Sequence, residues 1–295
     1  MTVVAFIGLG IMGSPMAVNL ANAGFDVVGH NRTPSKTREL TQAGGRAAGS
    51  VAEAVSDADV IITMLPDSPD VESVVYSDNG VLANAPDGSL LIDMSTIRPD
   101  VARRVHRDAA EVGIRALDAP VSGGEAGAQQ GVLSIMVGGD DDAVNAADPF
   151  LAPLGKTIVH VGPPGAGQTV KAANQLIVAA TIQIVSEAIV FLRAHGVDTA
   201  AAMDVLGGGL AGNRVIDLKS EAMLRNDFSP GFRIELHRKD LGIAEAAARE
   251  AGVVIPLGAA VSQLVSAVVA RGDGHLDHSA LLRLVESLSG TDSHD

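Results

Sequence analysis

The chain contains no cysteine and no tryptophan, and only one tyrosine and six phenylalanines. Without cysteine there can be no disulfide, thiolate nucleophile or cysteine-held metal, which fits a reducing, cytoplasmic setting. So few aromatic rings mean that aliphatic side chains and alanine must fill the core. Basic charge is short as well: 21 Lys and Arg against 35 Asp and Glu leave a formal charge of -14. Such a surface repels phosphate backbones and excludes general nucleic-acid binding, so any anionic ligand needs a local site. Long apolar runs are missing too. The longest, Leu176 to Leu192, covers about 17 residues, short of the roughly 20 that a spanning helix needs, and it contains Gln183 and Glu187. It reads as a buried helix of a soluble protein, and no membrane association is expected. The apolar start at residues 3–9 lacks a basic leader and a cleavage site, so no signal peptide is read there. The eight histidines show no ligand spacing; only His275 and His278 lie close, beside Asp277, and no metal site is expected.

What is present describes a packed globular protein of 295 residues, 47% hydrophobic, with a mean hydropathy of +0.27. That length favours two medium domains over one. In the first half, short β-rich runs alternate with helical stretches, as a parallel sheet requires. Val3 to Ile7, Asp26 to His30, Val60 to Met64 and Leu90 to Met94 read as strands, followed by Arg115 to Ala119, Leu133 to Val137 and Thr157 to Val161. Met12 to Ala23 has apolar residues at helical spacing and ends at Gly24, where a C-terminal cap belongs. The segment Gly162-Pro163-Pro164-Gly165-Ala166-Gly167 then breaks every regular pattern. Beyond it only helical patterns follow: Gln168 to Ala194, Ala200 to Leu206, Arg214 to Leu224, Leu236 to Glu250, Leu257 to Ala270 and Ser279 to Leu288. The expected fold is therefore an α/β Rossmann-type dinucleotide-binding domain over 1–164, an all-α C-terminal domain over 165–290, and a tail at 291–295. The first helix of the second domain would be about 40 Å long. Its apolar positions run nearly all the way round, which predicts burial on several sides. A helix of that length can reach another subunit, so a homodimer or homotetramer is expected.

The strand Val3 to Ile7 runs into Gly8-Leu9-Gly10-Ile11-Met12-Gly13 and then a helix. A G-x-G-x-x-G pattern alone is weak, but this context gives each glycine a task. Gly8 permits the tight turn, Gly10 lets the backbone approach a pyrophosphate, and Gly13 allows close packing of the helix whose N-terminus stabilises the anion. About twenty residues on, where NAD enzymes carry an acidic residue for the adenosine ribose, stands Asn31-Arg32-Thr33. Arg32 can pair with a 2′-phosphate that a carboxylate would repel, and Asn31 and Thr33 can add neutral hydrogen bonds. NADP(H) is the preferred cofactor on this reading, with NAD(H) left open.

The segment Phe6 to Met16 resembles the amino-terminal signature of the β-hydroxyacid dehydrogenases, which include 3-hydroxyisobutyrate dehydrogenases and tartronate semialdehyde reductases. Three later segments match as well: Asp118-Ala119-Pro120-Val121-Ser122-Gly123-Gly124, Gly167 to Asn174, and Lys239-Asp240-Leu241. The resemblance spans nearly the whole chain. It implies an active site between the two domains and substrates that are short acids with a 3-hydroxyl or its oxidised form. Pro66 to Glu72, Gly131 to Gly139, Ala173-Asn174-Gln175, Pro230-Gly231-Phe232 and Leu276 to Ala280 look most like the tartronate semialdehyde reductase branch.

Reduction of an aldehyde needs a hydride at carbon and a proton for the oxygen, and Lys171 is the candidate proton donor and acceptor. Asn174, three positions on along the helix, is placed to orient Lys171 or touch substrate oxygen, with Gln175 a weaker partner. Ser122, Gly123 and Gly124 offer a hydroxyl and closely spaced N–H groups, suited to an anion nest, and the resemblance makes them the substrate-carboxylate loop. The resemblance also assigns Lys239 to cofactor or substrate contact and Asp240 to its orientation. Thr96, Leu65 and Pro66 stand at strand ends where a dinucleotide crosses the sheet. Phe232 reads either as a wall of the substrate pocket or as core. The expected activity is an NADPH-preferring reduction of 2-hydroxy-3-oxopropanoate to glycerate. The same chemistry on 3-hydroxyisobutyrate or another short 3-hydroxyacid is the nearest alternative, and a catalytically silent NADP-binding assembly domain is the alternative of another class.

Overall fold

A computed structural model describes residues 1–291; residues 292–295 of the expected tail lie outside them. The chain divides into two compact units, Met1–Lys171 and Ala172 onward.

The first unit is built on nine strands: β1 Val3–Ile7, β2 Asp26–His30, β3 Arg46–Ala47, β4 Val60–Thr63, β5 Leu90–Asp93, β6 Arg115–Asp118, β7 Val121–Ser122, β8 Leu133–Gly138 and β9 Gly155–Gly162. They lie in the order β3-β2-β1-β4-β5-β6-β8-β7, with β9 paired to β8. From β3 to β6 every pairing is parallel. β8 then meets β6 and β7 antiparallel and β9 parallel. The chain order reverses between β1 and β4, the switch point outside which doubly wound sheets bind nucleotides at the carboxyl ends of their strands. β4 and β5 are buried at every position, because helices cover both faces. Alternate residues serve the two faces: Val4, Phe6, Val60, Ile62, Leu90 and Ile92 enter one cluster, and Ala5, Ile7, Ile61 and Leu91 the other.

Met64, Met94 and Ala119, expected to end their strands, lie one residue past them. Each still donates its N–H to the neighbouring strand, to Ile7, Thr63 and Asp93 respectively. Gly24 takes φ +95° just after the helix Gly13–Asn22, as a C-terminal cap requires.

The second unit is helical: the long helix Ala166–Ala194 enters it, followed by Thr199–Gly207, Arg214–Leu224, Ile234–Glu250, Pro256–Ala270 and Leu281–Leu288. By length and composition the long helix could cross a membrane, although 44% of its most apolar window is buried. The expectation that it is buried on several sides is corrected here. Ile177, Ile184 and Phe191, spaced seven apart, are 67, 60 and 63% exposed, while Ala179, Ile182 and Ile189 sit in the core. An apolar pattern all round a helix does not say which sides find a partner within one chain.

Asp277 holds this unit's loops together. Its carboxylate accepts from Lys219 Nζ at 2.9 and 3.0 Å, from the N–H groups of Gly231 and Phe232 at 3.0 Å, and from the Ser279 hydroxyl at 2.7 Å. Burial pushes the carboxyl up, but neighbouring His278, Lys219 and these donors outweigh it and bring it down to about 2. A carboxyl lowered in the native state stabilises the fold above its unfolded value of 3.8, and loses that contribution as pH falls towards 2. A shift of this size corresponds to about 2 kcal/mol. Asp277→Asn should therefore destabilise the protein by about 2 to 4 kcal/mol at pH 7. In urea unfolding at several pH values, the gap from the parent should close between pH 4 and pH 2.

Candidate active site

In the first unit the β1 turn is set by backbone crowding. Gly8 lies at φ +104°, and a side chain there would strike the Met64 carbonyl, while one at Gly13 would strike the Gly8 carbonyl. The start of the helix is thus pressed onto the end of the strand, which only glycine permits. At Gly10 the situation is opposite: a Cβ would meet nothing within 4 Å. That position is exposed at the helix N-terminus, and the first turn carries no acidic residue and no side-chain cap. Open space beside N–H groups that no side chain caps fits a pyrophosphate. Of the other loop residues, Leu9 is buried in the core, Met12 packs against it, and Ile11 faces solvent.

Asn31 links this turn to the next. Its Oδ1 accepts from Leu9 N–H at 2.9 Å and its Nδ2 donates to the Thr33 carbonyl at 3.1 Å. The side chain read as a ribose or phosphate contact is thus engaged in shaping the loop. Arg32 and Thr33 beside it are exposed, and Lys36 and Arg38 follow within one turn. The basic groups outnumber Glu39, whose carboxylate accepts from the Ser14 hydroxyl at 2.6 Å. This segment can receive an additional phosphate.

The ends of β4, β5 and β6 are joined by side chains. Leu65 N–H donates to Ser95 Oγ at 2.9 Å, beside exposed Pro66. The Thr63 hydroxyl donates to Asp93 Oδ1 at 2.7 Å. Half-buried Thr96 sits between Ser95 and Ile97, both held by Gln168: its Nε2 donates to the Ser95 carbonyl at 2.8 Å and its Oε1 accepts from Ile97 N–H at 3.0 Å. Asp118, the in-register neighbour of Asp93, accepts from Gly165 N–H at 2.7 Å and Gln168 N–H at 2.8 Å, around the start of the long helix. Burial pushes Asp118 up to about 6; the two N–H groups oppose this and Asp93 adds to it. Lys171 lies one turn further along the helix and is buried.

Ser122 ends β7, paired with Ser134. Gly123 and Gly124 follow at φ +140° and +63°, angles that side chains resist. A Cβ at Gly124 would meet nothing within 4 Å, which leaves the same kind of open approach as at Gly10.

In the second unit, Asn174, Gln175, Asp240 and Lys239 form one chain of contacts. Asn174 Nδ2 donates to Gln175 Oε1 at 2.8 Å, Gln175 Nε2 donates to Asp240 Oδ2 at 2.5 Å, and Lys239 Nζ lies 2.7 Å from Asp240 Oδ1. Gln175 and Asp240 are buried, so the polar ends they hold are fixed. Phe232 is half-buried, its ring 5.7 and 5.5 Å from those of His237 and His278. Those two buried histidines share a contact at 3.1 Å between their Nδ1 atoms, and His237 Nε2 reaches the Gln175 carbonyl at 3.2 Å. Sequence reasoning missed this pair, because 41 residues separate its members. It also missed the bracing by Gln168 and the pairing of Asp93 with Asp118, neither of which leaves a spacing signal.

Two family models account for nearly all of the chain. Residues 3–162 match the NAD binding domain of 6-phosphogluconate dehydrogenase, and residues 165–285 the NAD-binding domain of NADP-dependent 3-hydroxyisobutyrate dehydrogenase. The chain is 42% identical to 2-hydroxy-3-oxopropionate reductase of Escherichia coli, over 96% of this chain and 97% of that one. It belongs to the β-hydroxyacid dehydrogenases. This family member is accordingly an NAD(P)-dependent oxidoreductase acting on a hydroxyl group. It is also similar to NAD-dependent L-serine dehydrogenase of Pseudomonas aeruginosa, 37% identical over 97% of this chain and 99% of the relative. Among solved structures, 3-hydroxyisobutyrate dehydrogenase of Mycobacterium tuberculosis with L-serine superposes at a TM-score of 0.87, with 38% identity over 97% of this chain and 99% of that one.

The contrast between the glycines of this dehydrogenase can be measured. Gly10→Val should leave the melting temperature within about 2 °C of the parent, since it points into open space. It should weaken NADPH binding, followed by nucleotide fluorescence, by about tenfold or more. Gly13→Ala should instead cost about 1 to 3 kcal/mol of stability by overpacking.

Proposed function

We propose that this dehydrogenase is an NADPH-preferring reductase of 2-hydroxy-3-oxopropanoate, forming glycerate, with Lys171 as proton donor and, in reverse, acceptor. The observation that carries the proposal is a buried lysine on a helix braced to the sheet beside Thr96. When bound, the nicotinamide supplies the hydride for the aldehyde carbon. Lys171 delivers the proton from Nζ to the aldehyde oxygen as charge develops there. Ser122, Gly123 and Gly124 hold the carboxylate away from the reacting centre, with Asn174 and Lys239 as further substrate contacts and Phe232 as a wall of the pocket. The glycine loop with Asn31, Arg32, Thr33, Leu65, Pro66, Thr96 and Lys239 receives the cofactor. Likeness to the E. coli reductase supports this substrate, and the exposed arginine at the end of β2 supports NADPH. Residues 1–164 serve as the dinucleotide-binding domain and 165–290 as the helical one, in the cytoplasm.

A second reading, oxidation of L-serine or 3-hydroxyisobutyrate, is favoured by the serine dehydrogenase relative and by the neighbour solved with L-serine. Assaying 2-hydroxy-3-oxopropanoate, glycerate, L-serine and 3-hydroxyisobutyrate with both nucleotides separates the two. On the proposed reading, kcat/KM is highest for 2-hydroxy-3-oxopropanoate with NADPH, and Arg32→Ala lowers the NADPH to NADH ratio by about tenfold or more. Higher efficiency with L-serine and NAD would transfer the assignment to the second reading. Lys171→Ala should lower kcat by about 10² to 10⁴ with folding intact. Retention of more than about a tenth of the activity removes the proton-transfer role.

The chain also pairs with a second copy of itself through the exposed stripe Ile177, Ile184 and Phe191, three large apolar side chains at seven-residue spacing. Light scattering should give at least twice the 30.0 kDa of one chain. Ile184→Asp with Phe191→Asp should reduce the assembly; a parent mass of one chain rejects it.

A further inference from the structure

The long helix carries the proposed proton donor, whose placement depends on where the helix begins relative to the sheet. Two buried side chains fix that start. Asp118, at the end of β6, takes the N–H groups of Gly165 and Gln168 on separate oxygens, at 2.7 and 2.8 Å. Gln168, 1% exposed, then spends both ends of its amide on the strand-end turn after β5, with Ser95 carbonyl at 2.8 Å and Ile97 N–H at 3.0 Å. Its partners flank Thr96 on either side. Close approach of backbone seals the joint: a Cβ on Gly138 would lie 2.6 Å from Asp118 Oδ1 and 2.7 Å from Gly167 N, and a Cβ on Gly167 would lie 2.8 Å from Asp118 Oδ2. Lys171 follows Gln168 by three residues, on the same face of the helix.

We propose that Gln168, seated by Asp118, is a positioning residue that sets the turn of helix bearing Lys171 against the Thr96 turn. The inference rests on the reading of Lys171 as proton donor. An amide suits the task because it presents one acceptor and one donor in fixed geometry, matching one N–H and one carbonyl two residues apart. Leucine matches neither. Glutamate matches both only when protonated, since its O–H then donates to the Ser95 carbonyl; ionised, it keeps the Ile97 N–H but sets a second oxygen, with no proton, against that carbonyl. The charged groups around the introduced carboxyl are Asp118 on β6 and Asp93 on β5, which favour its protonated form, and Lys171 one turn along the same helix and Arg103 on the helix Pro99–Glu111, near Gly165, which oppose them.

The experiment compares the parent, Gln168→Leu, Gln168→Glu and Lys171→Ala on the acid the parent turns over best, with NADPH or NADH as it prefers, from pH 5.5 to 9. Gln168→Leu should lose about tenfold to a hundredfold in kcat, the scale of a misplaced reacting group, while each KM moves less than about threefold. Gln168→Glu should approach the parent at pH 5.5 and fall towards Gln168→Leu by pH 9, so that the ratio of its kcat to the parent's titrates. Circular dichroism at each pH confirms that the compared enzymes are folded. A ratio flat with pH, or losses confined to KM and thermal stability with kcat unchanged, overturns the positioning role. If Lys171→Ala keeps the parent's kcat, the underlying reading fails; if Lys171→Ala is inactive and the Gln168→Glu ratio is flat, only the present inference fails.

Discussion

The first unit depends on backbone meeting backbone where β1 gives way to its helix. Side chains at Gly8 and Gly13 would collide with the Met64 and Gly8 carbonyls, so the strand and the helix can approach only because both lack a Cβ. From that contact follow the direction of the helix, the exposure of its N-terminal N–H groups, and the free space over Gly10. Asn31 then ties the second strand's loop to this turn through Leu9, so the position of Arg32 is inherited from the same contact. The open N–H groups proposed to take the anion are thus a by-product of close packing, with no acidic residue of the helix itself in the first turn.

Polar groups in both units are arranged as linked sets rather than isolated pairs. In the first unit, Thr63, Asp93, Ser95, Gln168 and Asp118 join three strand ends to the start of the long helix. In the second, Asn174, Gln175, Asp240 and Lys239 form one series, and Asp277 gathers the loops before Ile234–Glu250 and Leu281–Leu288. The first set is buried throughout, and Gln175, Asp240 and Asp277 bury the centres of the others; there a satisfied network fixes one arrangement and a broken one is costly.

Much of the architecture was legible because it rests on local signals. β1, β2, β4, β5 and β6 show as apolar runs between turn residues, and Gly24 marks its cap by type alone. β3 and β7, of two residues each, fall below any periodic signal. The antiparallel course of β8 was not legible either, since side-chain alternation is the same in both directions. Lys171, Ser122 and the glycine loop stood out in short motifs. Their supports did not: Gln168 reaches back more than seventy residues to Ser95, and His237 meets His278 across 41. Residue type announces a reacting group, whereas the groups that aim it are revealed by folding.

The long helix Ala166–Ala194 carries Lys171 and Asn174 across the border between the two units without a loop. A loop would absorb the gain or loss of a residue, but a helix converts it into rotation. One residue inserted between these positions would turn everything after it by about 100° and advance it by about 1.5 Å relative to what precedes. A residue gained inside the helix therefore changes its phase, while the connection Gly208–Asn213 has no such phase to keep.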